Sequence, residues 1–276
     1  MSPEVPPRRQ VRERRSQNVI RLSTGISVPY VEGGVASGTP VILLHPWAES
    51  LSCFDRLFPL LPETMRVIAF DQRGHGQADK PTGGYALTDF ASDVEAFMDA
   101  LDLPVAVLLG SSSGGYVAQQ VAISSPAKVT GLVLVGSPRS LQGRPPFADE
   151  LDRLTDPIER GWVEESLTWF PRFHEVPGWY IDARVDDGLR MPARVWREAF
   201  NGLVAAVPPT DVAAITTPTL ILWGDRDELL ARKDQEALSA AIPGSRFVVY
   251  QQTGHPVLWE QPERVATDLA AFIKSL

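Results

Sequence analysis

One stretch restricts the fold of this chain more than any other. From Val105 to Ile123 it runs Val-Ala-Val-Leu-Leu, then Gly-Ser-Ser-Ser-Gly-Gly, then Tyr-Val-Ala-Gln-Gln-Val-Ala-Ile. An apolar run that stops at a Gly/Ser cluster reads as a buried strand, and Val117 and Val121 among alanines suit a helix packed on a sheet. The order is therefore strand, sharp turn, helix, with a Gly-x-Ser-x-Gly pattern centred on Ser112. In that context the turn strains the serine backbone and lifts its hydroxyl above the sheet edge. Gly110, Gly114 and Gly115 lack the side chains that would keep strand and helix apart.

The rest of the chain repeats the same rhythm. Residues 18–32 alternate around Thr24-Gly25 and predict a β-hairpin. Buried-strand runs follow at Pro40 to Leu44 and Arg66 to Phe70, and Phe54 to Leu61 has helical spacing between them. Phe90, Val94, Phe97, Met98 and Leu101 fall on one face of a helix spanning Thr88 to Leu101. A strand is predicted at Lys128 to Val135. Beyond the interruption described next come a strand at Thr219 to Trp223, a helix near Ala231 to Ala241 and a strand at Arg246 to Tyr250. A last helix carries Pro262 in its first turn, with Val265, Leu269 and Phe272 on one face. Strands alternating with helices imply an α/β fold, a mostly parallel sheet of eight strands with helices on both faces.

The alternation breaks at residues 138–210, where no strand pattern appears and nine aromatic residues gather at a density above the 8% of the whole chain. This segment is expected to form a helical cap or lid over a core made of residues 18–137 and 211–276. Trp169, Phe173, His174, Trp179 and Trp196 are its candidate substrate-binding residues, with Trp47 from the core.

Composition excludes several classes. With 44% hydrophobic and 22% charged residues the chain has the make-up of a globular protein. A net charge of −8 argues against nucleic acid as a partner. The single cysteine, Cys53, has no partner for an internal disulfide, and no apolar run reaches membrane-spanning length. Residues 1–17 hold five arginines but no hydrophobic segment, so they read as a flexible tail and not as a secretory signal. A reducing cytoplasm is the expected location, and no metal site or organic cofactor is expected.

A serine hydroxyl is a weak nucleophile until a base takes its proton, and the base needs a partner to fix its tautomer. Ser112, Asp227 and His255 each follow a predicted strand, and parallel strands deliver such loops to one edge. Together with Leu-Leu-His-Pro-Trp, Phe-Asp-Gln-Arg-Gly-His-Gly, Gly-Ser-Ser-Ser-Gly-Gly, Trp-Gly-Asp-Arg-Asp and Thr-Gly-His in that order, this resembles an α/β-hydrolase fold enzyme with a cap, from about residue 18 onward. The resemblance implies Ser112 as nucleophile, His255 as base and then acid, and Asp227 as the residue that orients His255. Asp225 competes for the last role, but the family's Gly-x-x-Asp spacing selects Asp227, and Gly136-Ser137-Pro138-Arg139 offers no carboxylate after the sixth strand. It also implies an oxyanion hole from the backbone N–H groups of Ser113 and Trp47. Where the family has His-Gly-x this chain has His45-Pro46-Trp47; proline removes only its own N–H, so the donor on Trp47 survives if the loop keeps its path. His45 and His75 lie in loop-shaping motifs and are read as structural.

Serine at the turn excludes the epoxide hydrolases and haloalkane dehalogenases of this fold, which the resemblance assigns an aspartate there. The expected reaction is hydrolysis of a small apolar or aromatic carboxylic ester or lactone through an acyl-enzyme. Carbon-carbon bond hydrolysis of a ring-fission diketone, a cofactor-free haloperoxidase-like reaction, and a ligand receptor on a hydrolase fold are the alternatives. Sequence leaves monomer and homodimer open.

Overall fold

A computed structural model describes residues 16–143, 145 and 147–276. Eight strands form one sheet: β1 (Ser16–Arg21), β2 (Ser27–Gly34), β3 (Thr39–Leu44), β4 (Met65–Phe70), β5 (Ala106–Ser111), β6 (Val129–Val135), β7 (Thr219–Gly224) and β8 (Arg246–Tyr250), in the order β1-β2-β4-β3-β5-β6-β7-β8. The hairpin β1–β2 and the β2–β4 pair are antiparallel, and every other pairing is parallel. Of the expected tail at 1–17, Ser16 and Gln17 instead open β1, and the remainder lies outside the described residues.

The central strands read as continuous apolar runs because both faces of the sheet are covered. Ile42, Leu44, Ile68, Leu108 and Leu134 point into one apolar cluster, while their neighbours Val41, Leu43, Val67, Leu109 and Val135 point into the other. Helices α1 (Leu87–Ala100) and α2 (Ser113–Ser124) supply Phe90, Val94, Phe97, Val117 and Val121 to the first cluster. The C-terminal helix (Pro262–Ile273) supplies Val265, Leu269 and Phe272 to the second.

One expected helix is absent. Phe54 to Leu61 forms two short 3-10 turns, Leu51–Phe54 and Phe58–Leu60. Pro59 has no N–H for a helical ladder, yet Phe54, Leu57 and Leu61 are still buried at the spacing that suggested one. A short helix at Val257–Glu260, unpredicted, follows β8 and buries Val257, Leu258 and Trp259. Between β6 and β7 the described residues form only helices: Ala148–Arg153, Arg160–Ser166, Gly178–Leu189, Ala193–Val204 and Pro209–Val212, with a 3-10 turn at Leu167–Trp169.

Packing at the end of β5 leaves no room for a side chain. A Cβ on Gly110 would lie 2.3 Å from the Gly114 carbonyl oxygen, and one on Gly114 would lie 2.2 Å from that of Leu44. Neither clash can be relieved by a side-chain rotation, because the obstacle is backbone. Gly110→Ala is therefore expected to lower unfolding free energy by about 3 kcal/mol or to prevent folding. Gly83→Ala, with nothing within 4 Å of its Cβ, should stay within about 0.5 kcal/mol of wild type. Urea denaturation of the two variants checks this; equal midpoints would contradict it.

Candidate active site

β5 ends at Ser111, and Ser112 takes φ 48° and ψ −121°, in the left-handed half of φ that few side chains adopt. Its N–H donates to the Val135 carbonyl of the adjacent strand (2.8 Å), and its carbonyl accepts from Gly115 (2.9 Å) and Tyr116 (3.3 Å) to begin α2. The strained residue is thus tied on both sides, which is how such a conformation persists.

The loops after β7 and β8 reach the same edge. Ser112 Oγ lies 3.0 Å from His255 Nε2, and His255 Nδ1 lies 2.8 Å from Asp227 Oδ2. The other carboxylate oxygen of Asp227 accepts from the N–H groups of Leu229 (2.9 Å) and Leu230 (2.8 Å), so the side chain cannot rotate away. With Nδ1–H donated to the carboxylate, Nε2 presents its lone pair to the Ser112 hydroxyl. Asp225 lies apart from this chain: its Oδ1 accepts from the Thr253 N–H at 3.4 Å and ties the β7 loop to the β8 loop.

The His255 loop is held by Glu260. One oxygen of its buried carboxylate accepts from the Gly254 N–H (2.8 Å), and the other from those of Phe173 and His174 (2.9 Å each). The Phe170 ring packs on His255 with centroids 5.3 Å apart.

On the opposite side the loop after β3 makes a tight turn. The Pro46 carbonyl accepts from His45 Nδ1 (2.8 Å) and from the Glu49 N–H (3.3 Å), and Ala48 sits at φ 66°. His45 Nε2 accepts from the Gln72 N–H at 2.9 Å, and Gln72 Nε2 donates to the His45 carbonyl at 2.7 Å. Within this path the Trp47 N–H survives beside Pro46 and donates to Ser113 Oγ, 2.6 Å away, on the residue that follows Ser112. The Trp47 N–H is therefore directed at the turn that carries Ser112, with the Ser113 hydroxyl as its acceptor.

A cavity of about 360 Å³ opens above Ser112 and His255. Trp47, Phe147, Phe170, Phe200, Leu203 and Trp259 give it an apolar wall, and Glu49 is its buried carboxyl. Among the candidate aromatic residues, Trp47 lines this cavity, whereas Trp169 and Trp196 line a separate pocket of about 40 Å³ beside it. Phe173 is 47% exposed, and its N–H is spent on Glu260. His174 Nε2 accepts from Gln261 Nε2 at 3.0 Å, outside either pocket. Trp179 packs edge-on against Tyr180, 5.6 Å between centroids, in the cluster on the far face of the sheet. Three of the five insertion residues thus line neither pocket, because the helix carrying Trp179 and the Glu260-bound segment turn them elsewhere. Phe147, Phe170, Phe200 and Glu49 were not singled out. For Phe200 the signal was present, since Trp196, Phe200 and Leu203 recur at spacings of four and three on one helix face.

Among the described residues, no group of three or more His, Cys, Asp or Glu side chains is placed to hold a metal ion. No helix among them is long and apolar enough to cross a membrane.

The alpha/beta hydrolase family model matches residues 41–269. The chain belongs to that family. It is 30% identical to a non-heme chloroperoxidase of Streptomyces lividans over 93% of this chain and 99% of the relative. Among solved structures, an esterase of Exiguobacterium antarcticum superposes with a TM-score of 0.82 at 25% identity, covering 94% of this chain and 100% of that one. Est816, described as an N-acyl homoserine lactone degrading enzyme, superposes with a TM-score of 0.77 at 28% identity, covering 92% and 100%.

Two buried histidines set a pH limit on this architecture. The His45 and His75 rings lie 5.1 Å apart, and burial holds both below the ordinary histidine range, His75 at about 4. His75 binds its proton near 6.5 when unfolded and near 4 when folded, so its contribution to stability is whole above pH 6.5 and is lost as pH falls toward 4. Burial acts oppositely on Asp71, raised to about 6, which disfavours the fold as pH rises toward that value. A variant therefore isolates the histidine. Relative to His75→Asn, wild type should lose about 2 to 3 kcal/mol between pH 7 and pH 4.5, read from urea midpoints. Parallel pH profiles would show that His75 does not carry the effect.

Proposed function

We propose that this protein is a serine hydrolase that cleaves a carboxylic ester or lactone of a small apolar molecule through an acyl-enzyme. What supports the reading most is the unbroken hydrogen-bonded chain from Ser112 Oγ through His255 to Asp227, opening into an apolar cavity. Ser112 Oγ attacks the carbonyl carbon while its proton passes to His255 Nε2, and Asp227 stabilises the imidazolium. The developing oxyanion draws on the N–H groups of Ser113 and Trp47, each donor worth roughly 3 kcal/mol of barrier. His255 then gives its proton to the departing alkoxide oxygen, which leaves as an alcohol or, from a lactone, stays tethered to the acyl group. Water attacks the acyl carbon, gives a proton to His255, and the acid is released as Ser112 regains its hydrogen.

The likeness to the Streptomyces lividans chloroperoxidase favours one second reading, haloperoxidase-like chemistry on the same acyl-enzyme. In that case hydrogen peroxide replaces water as the attacking molecule and the product is a peracid.

A fluorophosphonate probe should label the wild type and fail to label Ser112→Ala. His255→Ala and Asp227→Asn should each lower kcat by roughly 10^4-fold on an ester substrate. An unlabelled wild type would overturn the hydrolase in favour of a ligand receptor on the same fold. A panel of esters, lactones and ring-fission diketones, run with and without peroxide, sorts the reactions. The apolar wall leads us to expect kcat/KM for esters with a bulky aromatic group to exceed that for short aliphatic esters by about tenfold or more. Equal values would remove the apolar substrate from the reading.

A further inference from the structure

The apolar wall of the cavity above Ser112 and His255 is interrupted by polar residues: Arg139, Ser140, Gln142 and Asp234 are partly or fully exposed, and Glu49 is the buried carboxyl. Glu49 lines it and also lines the adjoining pocket of about 40 Å³, where it meets Arg184. Trp47, Phe170 and Trp259 likewise border both spaces, so the smaller pocket adjoins the larger across these side chains. Glu49 Oε2 and Arg184 Nη1 are buried, form an ion pair at 3.6 Å, and have no hydrogen-bond partner.

Each side chain is also held by other contacts. Arg184 Nη2 is bonded to Asp187 Oδ2 at 2.7 Å and to Ser52 Oγ, and its guanidinium lies over the Tyr180 ring, 4.6 Å from the centroid. Asp187 is itself committed to Ser50 Oγ (2.7 Å) and Arg190 Nη1 (3.2 Å). Glu49 also has a hydrogen bond with the Trp259 side chain, and its backbone follows Ala48 in the left-handed conformation. A buried donor and a buried acceptor left facing a cavity cost about 1 to 3 kcal/mol each unless a ligand completes them. Preorganised groups of this kind recognise what enters.

We propose that Glu49 and Arg184 form a recognition point for a hydroxyl carried by the substrate, so that the enzyme's substrates are hydroxy-substituted esters or lactones. This rests on the serine hydrolase reading above. A hydroxyl both donates and accepts, which matches an orphan carboxyl oxygen beside an orphan N–H. A chamber of about 40 Å³ admits a group of that size and not a further ring. A charged group fits poorly, since Arg184 already shares its charge with Asp187. Burial also raises the Glu49 carboxyl to about 7, with Arg184 opposing and Asp187 assisting the rise, so near neutrality it exists in both forms. A hydroxyl satisfies either one, donating to the carboxylate or accepting from the carboxyl.

The test compares p-nitrophenyl hexanoate with its derivatives hydroxylated at each acyl carbon in turn. For each derivative the readout is the ratio of its kcat/KM to that of the unsubstituted ester, with Glu49→Gln, Glu49→Leu and wild type assayed alike. Wild type should favour at least one hydroxylated ester by about tenfold or more. Glu49→Leu should bring that ratio to near one, and Glu49→Gln, which keeps hydrogen-bonding atoms, should fall between. A wild-type ratio near one for every derivative overturns the proposal even if the variants fail to fold. So does a preference that survives in Glu49→Leu, or a Glu49→Leu variant in which all esters slow equally, which would assign Glu49 to the attacking water. Fluorophosphonate labelling of the same wild-type sample separates the outcomes: label without preference refutes the hydroxyl site alone, whereas absence of label refutes the hydrolase.

Discussion

The structure depends on one strained residue. Ser112 at φ 48° costs on the order of 1 to 3 kcal/mol, and no side chain relieves it. What offsets it is the burial of Tyr116, Val117 and Val121 on α2, which lies against the sheet only because Gly110, Gly114 and Gly115 leave room for backbone to meet backbone. A methyl group on Gly115 would meet Ser137 Oγ at 1.7 Å, so the restriction reaches the end of β6 as well. The tension at this turn puts Oγ outside the sheet. Parallel register between β5 and its neighbours then decides what it meets, because Leu44 pairs with Gly110 and Ser111 with Val135. The loops that follow those strand ends converge on the same few ångströms.

The helical insertion is joined to that edge by side chains of the core as much as by its own packing. Glu260 gathers N–H groups from the His255 loop and from the insertion onto one carboxylate, so a single side chain joins residues 173–174 to the residue beside His255. Trp47 plays the corresponding part on the other side. Its ring lies edge-on to Trp196 at 4.9 Å and near Phe200 at 5.4 Å, and its Nε1–H donates to the Trp196 carbonyl at 3.3 Å. The cavity wall is thus continuous with the aromatic packing of the insertion, and its shape belongs to both layers at once.

How much of this could be read from residues alone follows from the range of the forces involved. The strands, the elbow turn and the loops bearing Asp227 and His255 were legible because each is written in a local pattern: an apolar run, a glycine cluster, a carboxylate or imidazole at a strand end. The stretch from Phe54 to Leu61 shows the limit of that method, since its spacing foretold which residues are buried while Pro59 forbade the helix. The insertion was legible as helical and aromatic, but not in which rings line the cavity. Trp179 and Phe170 have similar surroundings in sequence and opposite destinations, set by contacts with Tyr180 and with His255 that no local period encodes. Glu49 left one faint mark, a carboxylate two residues beyond Trp47 in a turn otherwise built of small and apolar residues. Its partner Arg184 lies 135 residues further on, visible only once the fold is closed.

The turn at residues 46–49 therefore places two groups that cannot be moved independently. Pro46 fixes its own φ near −65°, and its carbonyl binds both the His45 ring and the Glu49 N–H, so the turn closes before either functional group is placed. Ala48 then takes a left-handed conformation that reverses the chain direction between Trp47 and Glu49. The first sends its N–H toward Ser113, and the second sends its carboxyl toward Arg184. A chain with glycine in place of Pro46 would hold the same donor more loosely and would aim the carboxyl less definitely. The departure from the family's His-Gly-x pattern is thus better understood as stiffening than as loss. One turn thus sets both the Trp47 N–H beside Ser113 and the Glu49 carboxyl beside Arg184.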